Sequence, residues 1–359
     1  ATSRLIVAAA APAGAPTPLQ RSLVEAVVSA MTGHPARVPE AERTPLEELA
    51  TVLARRNAAY RTRILQLAVL SALVLRPIPP AVADRVDAMA RVLAVDEGML
   101  AVARRLASGS LGLAAFDFER NGYTAEWHPD DAAALHTSGE LADAWALAPH
   151  DPGLAERWRA LEEGPADSLG RRITDFYRAR GFAYPGLPGS APPLLAQHDW
   201  VHVVADYGTT VESELEVFAF IARANDDMRA FSLLAMVVSL FETGALRRGA
   251  GLFESDTGHL SRAGVTTRLA DAMRRGARCH GSVDYLRTDW FELAGKPVAE
   301  VQESFGIQPK SEAALEAGSV GPFEAGGISP FQLAAGRSMA EAEGRPYDAF
   351  GATAPPSTG

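Results

Sequence analysis

Two histidines, His198 and His202, stand four residues apart with Asp199 between them, and Glu214 follows twelve residues after His202. On a helix, positions i and i+4 share a face one turn apart, so both imidazoles project toward one point and can bind one cation. Asp199, three residues before His202, can lean toward the same point. Leu194, Leu195, Val201 and Ala205 flank the histidines, which turns this face inward. Along an unbroken helix Glu214 would lie about 18 Å beyond His202, too far to share an ion. Gly208-Thr209-Thr210 reads as a break midway, and Thr209 followed by Glu212 fits a capping box that starts a second helix. Folding back there brings Glu214 level with His202. On the second helix Val211, Leu215, Phe218 and Ala222 form the apolar stripe with Glu214 inside it, whereas Glu212, Glu216 and Arg223 fall on the opposite, polar face.

A buried carboxylate is costly unless it is neutralised or coordinated. His198, Asp199, His202 and Glu214 are therefore read as the ligands of a divalent metal ion, and Asp199 also as the catalytic candidate. A mixed nitrogen and oxygen set suits zinc, cobalt, iron, manganese or magnesium without choosing among them, and zinc is taken as the first expectation. The plainer alternative makes the histidines satisfied core residues and pairs Glu214 with an arginine. A hydrolase like the zinc proteases, with Asp199 as the base, is a further reading.

Around this centre, Arg274, Arg275 and Arg278 could meet a carboxylate or phosphate, or simply form the basic end of a helix. Tyr177, Tyr184 and Trp200 offer pocket lining or ordinary core packing. The substrate-binding candidates are Arg275, Arg278 and Tyr184. Asp206, one turn after His202, suits either an acceptor orienting an imidazole or a solvated helix end. His34, His128, His136, His150, His259 and His280 have no partners at ligand spacing, and neither Ser110 nor Ser190 has a neighbouring base.

The elements that must position these groups are helical. Apolar spacing of three and four dominates, and alternating β-branched runs are nearly absent, so the chain is expected to be all-α. Leu19, Leu23, Val27 and Met31 fall near helical spacing and end at Gly33, a C-cap signal. Helices are expected over 44–56, 60–75, 81–93 and 97–106, completing an N-terminal bundle over 1–123. A linker over 124–167 holds short helices at 130–135, 140–147 and 154–161. A metal-binding helical domain over 168–307 follows, with helices at 215–224, 229–242, 264–275 and 296–305. The Gly/Ala/Pro-rich tail, 308–359, is expected to be flexible or pinned only locally, and Ala1 to Pro18 to be a disordered or extended arm rather than a signal peptide.

Composition narrows the function classes. A net charge of −10 argues against a nucleic-acid partner and discourages anionic membranes, leaving peripheral association and a hydrophobic ligand open. The apolar runs 64–75 and 231–240 fall short of a membrane span. The single cysteine, Cys279, excludes a disulfide framework and a cysteine zinc cage, and points to the cytoplasm.

The pattern His-Asp-x-x-His, eleven residues, then Glu resembles the signature of the ubiquinone (coenzyme Q) biosynthesis protein family. Its surroundings are similar too: 197–202 through 207–215, Arg275-Gly276-Ala277-Arg278, Asp289 to Leu293 and Val298 to Ile307. The resemblance covers about 168–307. It implies an all-helical fold and a metal held by His198, Asp199, His202 and Glu214. It also implies a part in quinone biosynthesis, including replacement of a ring carboxyl by a hydroxyl. Residues 1–123 lie outside it and resemble the tellurite-resistance TerB-like helical domains at Tyr60 to Leu65 and Asp117 to Arg120. The function expected is a metal-dependent enzyme acting on a small aromatic, polyketide-like or prenylated substrate, through decarboxylation, hydroxylation or a lyase or cyclase step, with a homodimer as one assembly. The alternative is a non-catalytic isoprenoid- or lipid-binding scaffold with a structural metal.

Overall fold

The computed structural model describes residues 1–42, 44–75, 78–95, 150–188, 190–191, 193–224, 228–243, 257–281 and 283–349. Among them the chain is helical and contains no strand, in line with the all-α expectation. The expected helices at 97–106, 130–135 and 140–147 lie outside the described residues, as do Ser110, His128, His136 and Asp117 to Arg120.

The first helices are α1 (Thr2–Ala10), α2 (Pro18–Thr32), α3 (Leu46–Leu53), α4 (Ala58–Leu73) and α5 (Pro80–Val92). Their boundaries follow local chemistry. Thr17 and Gln20 close a capping box ahead of α2, Gly33 ends it in the left-handed region at φ 71°, and Asn57 caps α4. The expected arm at the N-terminus is instead α1, whose Leu5, Ile6 and Ala9 are fully buried against α4 and α5. An alanine-rich run has high intrinsic helicity, and a covering surface is all it needed.

The chain continues through α6 (Pro152–Ala160), α7 (Leu169–Arg180), α8 (Pro193–Val204), α9 (Val211–Ala224) and α10 (Met228–Val238), which runs into a π turn at Ser239–Thr243. Next come α11 (Val265–Ala277), α12 (Trp290–Leu293), α13 (Val298–Phe305), α14 (Glu312–Glu316) and α15 (Pro330–Ala342). Helix α9 is sandwiched by α8, α10 and α11, and α11 in turn packs on α2. One contiguous apolar cluster therefore runs from Leu5 to Ile307. No described helix is long and apolar enough to cross a membrane.

Two expectations change here. Glu216 does not face solvent: every residue from Ser213 to Ala222 is buried, because helices cover α9 on both sides. The described part of the tail, 308–349, forms α14 and α15, and α15 lies against α7. Its small residues are the means of contact rather than a sign of disorder. A Cβ on Gly336 would stand 2.3 Å from the Ala179 carbonyl oxygen, so the two backbones meet directly.

Candidate metal centre

Helix α8 carries His198 and His202, and its end sets the second ring. Asp206 adopts the left-handed conformation at φ 63°, and the Tyr207 N–H donates back to the His202 carbonyl at 2.9 Å. This is a Schellman-type close with aspartate in the usual glycine place. The reversal carries the Gly208 carbonyl over the imidazole, where it accepts from His202 Nδ1 at 2.8 Å. Arg275 and Gln302 satisfy the last carbonyls of α8, at Ala205 (2.9 Å) and Val204 (3.0 Å).

The turn is held from outside. Gly208 N–H donates to Val320 O (3.0 Å) and Thr209 N–H to Gly327 O (2.8 Å). A Cβ on Gly208 would lie 2.7 Å from the Gly327 backbone, which only glycine avoids. Thr209 does not cap α9 as the sequence suggested. Its hydroxyl donates to Gln332 Oε1 at 2.7 Å and accepts from Arg180 Nε at 2.8 Å. The cap falls one residue later: Thr210 Oγ1 accepts from Ser213 N–H at 3.3 Å. A tertiary network has taken the hydroxyl that local pattern assigned to the helix end.

With the chain reversed, Glu214 meets both rings. Its Oε1 lies 3.3 Å from His202 Nε2 and its Oε2 3.5 Å from His198 Nε2. One atom from each of the three residues falls within 4.8 Å of the others. All three side chains are buried, at 0%, 0% and 1% exposure. The rings' other nitrogens are taken: His198 Nδ1 hydrogen-bonds the Leu195 carbonyl and His202 Nδ1 that of Gly208. A carbonyl oxygen only accepts, so each Nδ1 carries a proton, and in the neutral ring each Nε2 turns a lone pair inward.

The centre is thus two imidazole nitrogens and a carboxylate converging in the buried interior. Among the described residues no hydrogen-bond donor reaches His202 Nε2 or either oxygen of Glu214. Donors about 2.0–2.1 Å from a common ion at tetrahedral angles stand roughly 3.3–3.4 Å apart, and the two observed nitrogen–oxygen separations bracket that edge. His198, His202 and Glu214 form a buried group able to hold a metal ion. Phe218 stacks on His198 (centroids 5.2 Å apart) and Phe176 on His202 (5.6 Å), giving the group apolar walls.

Asp199 is fully buried beside this trio but outside it. Its Oδ2 accepts from Tyr177 Oη at 2.5 Å, and its Oδ1 lies 3.8 Å from His198 Nδ1. Arg275 is 2% exposed and donates to the carbonyls of Ala205 and Gln308. Arg278 is exposed just past the end of α11. Tyr184 Oη donates to Glu162 Oε1 at 2.8 Å, and its ring stacks on Trp158. Asp206 pairs with Lys310 at 3.0 Å, so the acceptor orienting His202 is a backbone carbonyl instead.

Arg180 and Gln332, both fully buried, escaped the reading of the sequence. Arg180 does leave a signal. Leu169, Ile173, Phe176 and Tyr177 make the apolar stripe of α7, and Arg180 continues it at helical spacing. Its guanidinium stacks on Phe176 at 3.8 Å and reaches the Pro322 and Gly327 carbonyls. Gln332 sits in a segment whose composition gave no such sign.

No protein-family model matches this chain, and no curated protein matches it. Among solved structures, one from Nostoc punctiforme PCC 73102, described as that of a protein assigned to ubiquinone biosynthesis, is similar at 17% identity. It covers 71% of this chain and all of its own, with a TM-score of 0.31. At that score the likeness is weak, and the site stands on its own geometry.

Proposed function

We propose that this chain is a metal-dependent enzyme whose ion is held by His198, His202 and Glu214. Its substrate would be a small aromatic, polyketide-like or prenylated acid, and its reaction a decarboxylation, with or without hydroxylation, or a related lyase or cyclase step. One observation carries the reading: two buried imidazole nitrogens and a buried carboxylate converge at ion-bridging separations. The His-Asp-x-x-His and Glu pattern supports the substrate class.

When bound, such an ion supplies positive charge against the negative charge that develops on a substrate oxygen. The protein's own groups do the rest. The carbonyls of Leu195 and Gly208 fix both ring tautomers, so neither imidazole has to reorganise on binding. Glu214 offsets part of the cation's charge, and Phe176 and Phe218 exclude water and strengthen every electrostatic contact within.

Elemental analysis of purified protein, joined to turnover of aromatic carboxylic acids by wild type and His202→Ala, tests the reading. The expected result is close to one divalent ion per chain and loss of both ion and turnover in the variant. Full turnover in metal-free protein would overturn it.

A further inference from the structure

Asp199 lies next to a candidate ligand in sequence and is fully buried, yet it is not part of the group formed where His198, His202 and Glu214 meet. The Nε2 of His198 is the nitrogen 3.5 Å from Glu214, whereas Asp199 approaches the opposite nitrogen, Nδ1, at 3.8 Å. Asp199 therefore stands behind the ring. What holds it there is Tyr177, whose hydroxyl donates to Oδ2 at 2.5 Å, the length of a charge-assisted bond.

The tyrosine has little freedom to let go. Its ring is fully buried and packed at 4.9 Å by Trp158, 5.6 Å by Phe182 and 5.9 Å by Tyr184, centroid to centroid. Swinging Asp199 to the ion would break this hydrogen bond inside a buried aromatic setting. Three protein ligands with one position left open is the arrangement of catalytic rather than structural zinc sites.

We propose that Tyr177 is a positioning residue that holds Asp199 out of metal coordination. One position is thereby kept for an oxygen of an anionic substrate, a carboxylate or phenolate. This rests on the metal reading above. Released from Tyr177, Asp199 would occupy the open position itself.

Cobalt(II) is a suitable probe because its visible absorption reports ligand number and type. Wild type, Tyr177→Phe, Asp199→Asn and Glu214→Gln are loaded with cobalt alone and then titrated with benzoate. Asp199→Asn is expected to bind cobalt with the wild-type band shape. Glu214→Gln should lose the band. Tyr177→Phe should bind cobalt with an altered band and lose at least tenfold in benzoate affinity.

The proposal is overturned if Asp199→Asn changes the cobalt spectrum as Glu214→Gln does, or if Tyr177→Phe matches wild type in both band and benzoate affinity. Should Tyr177→Phe fail to fold, the Asp199→Asn spectrum decides alone. Absence of cobalt binding by wild type would overturn the metal reading itself, a distinct outcome.

Discussion

Glu214 and Glu216 stand two residues apart on α9, each 1% exposed, and the protein treats them differently. Glu216 faces Arg268 of α11, with a guanidinium nitrogen 2.6 Å from Oε2. The charge is cancelled by a group that belongs to the chain. Glu214 faces two imidazoles, with Nε2 atoms at 3.3 and 3.5 Å, and among the described residues no arginine or lysine pairs with it. One buried carboxylate closes an internal account, while the other leaves a place for something from outside. Burial alone does not distinguish a structural acid from a functional one; the sign of what faces it does.

The sharpest way to break this contrast is to remove a member of the trio. His202→Ala should lower metal affinity by at least about 100-fold, as judged by equilibrium dialysis with elemental analysis, and retained one-to-one binding would end the distinction. Glu216→Gln should do the reverse. It strands Arg268, at a cost of about 3–5 kcal/mol in urea unfolding, while the folded fraction still binds one ion. Chelation of the metal is the third comparison. At free metal 100-fold above the dissociation constant, the holo form gains about 2.7 kcal/mol over the apo form. A chelator should therefore lower the melting temperature of wild type and not that of Glu214→Gln.

Smaller effects sharpen the picture. Gln332→Ala removes the nearer acceptor of the buried Thr209 hydroxyl, leaving the Gly327 carbonyl at 3.4 Å, and should cost about 1–3 kcal/mol, with a measurable loss of metal affinity because the same turn places Gly208 O on His202. The smallest effect belongs to an ion pair near the surface. Arg4, hydrogen-bonded to Glu42, holds that carboxyl at about 2, below its ordinary 4.5. A lowered folded-state value means stability that is present above 4.5 and lost as pH falls toward 2. The urea midpoints of wild type and Glu42→Gln should thus differ near neutrality and converge at the acid end.

Much of the architecture was legible because it is written locally. The apolar stripe of α9 put Glu214 inward, the Gly208 region announced the break, and Gly33 ended α2 where expected. What escaped is decided by distant partners. Periodicity tells which face of a helix meets a core; it does not tell that a second layer covers the other face, as α11 does over Glu216. Thr209 had the spacing of a cap, yet Arg180 and Gln332 compete for its hydroxyl. The tail carries few large apolar residues, and its packing uses the absence of side chains at Gly327 and Gly336, which composition reads as looseness.

The strap over the turn has a consequence for the order of events. All three candidate ligands have been synthesised by residue 214, yet the turn between them is fastened by Gln332, 123 residues after Thr209 in the chain. At ordinary bacterial or eukaryotic translation speeds that is a delay of roughly 6–25 s. During it, the rings and the carboxylate are present without the backbone clasp that fixes their relation. We expect chains ending at Gly318 to hold cobalt weakly and exchange it quickly, and chains ending at Arg345 to match the full-length protein; equal exchange rates would show that the clasp is dispensable. Helix α15 would then act as the latch on a nascent protein, so that a cation can still be traded while the chain is being made and is retained once it is released.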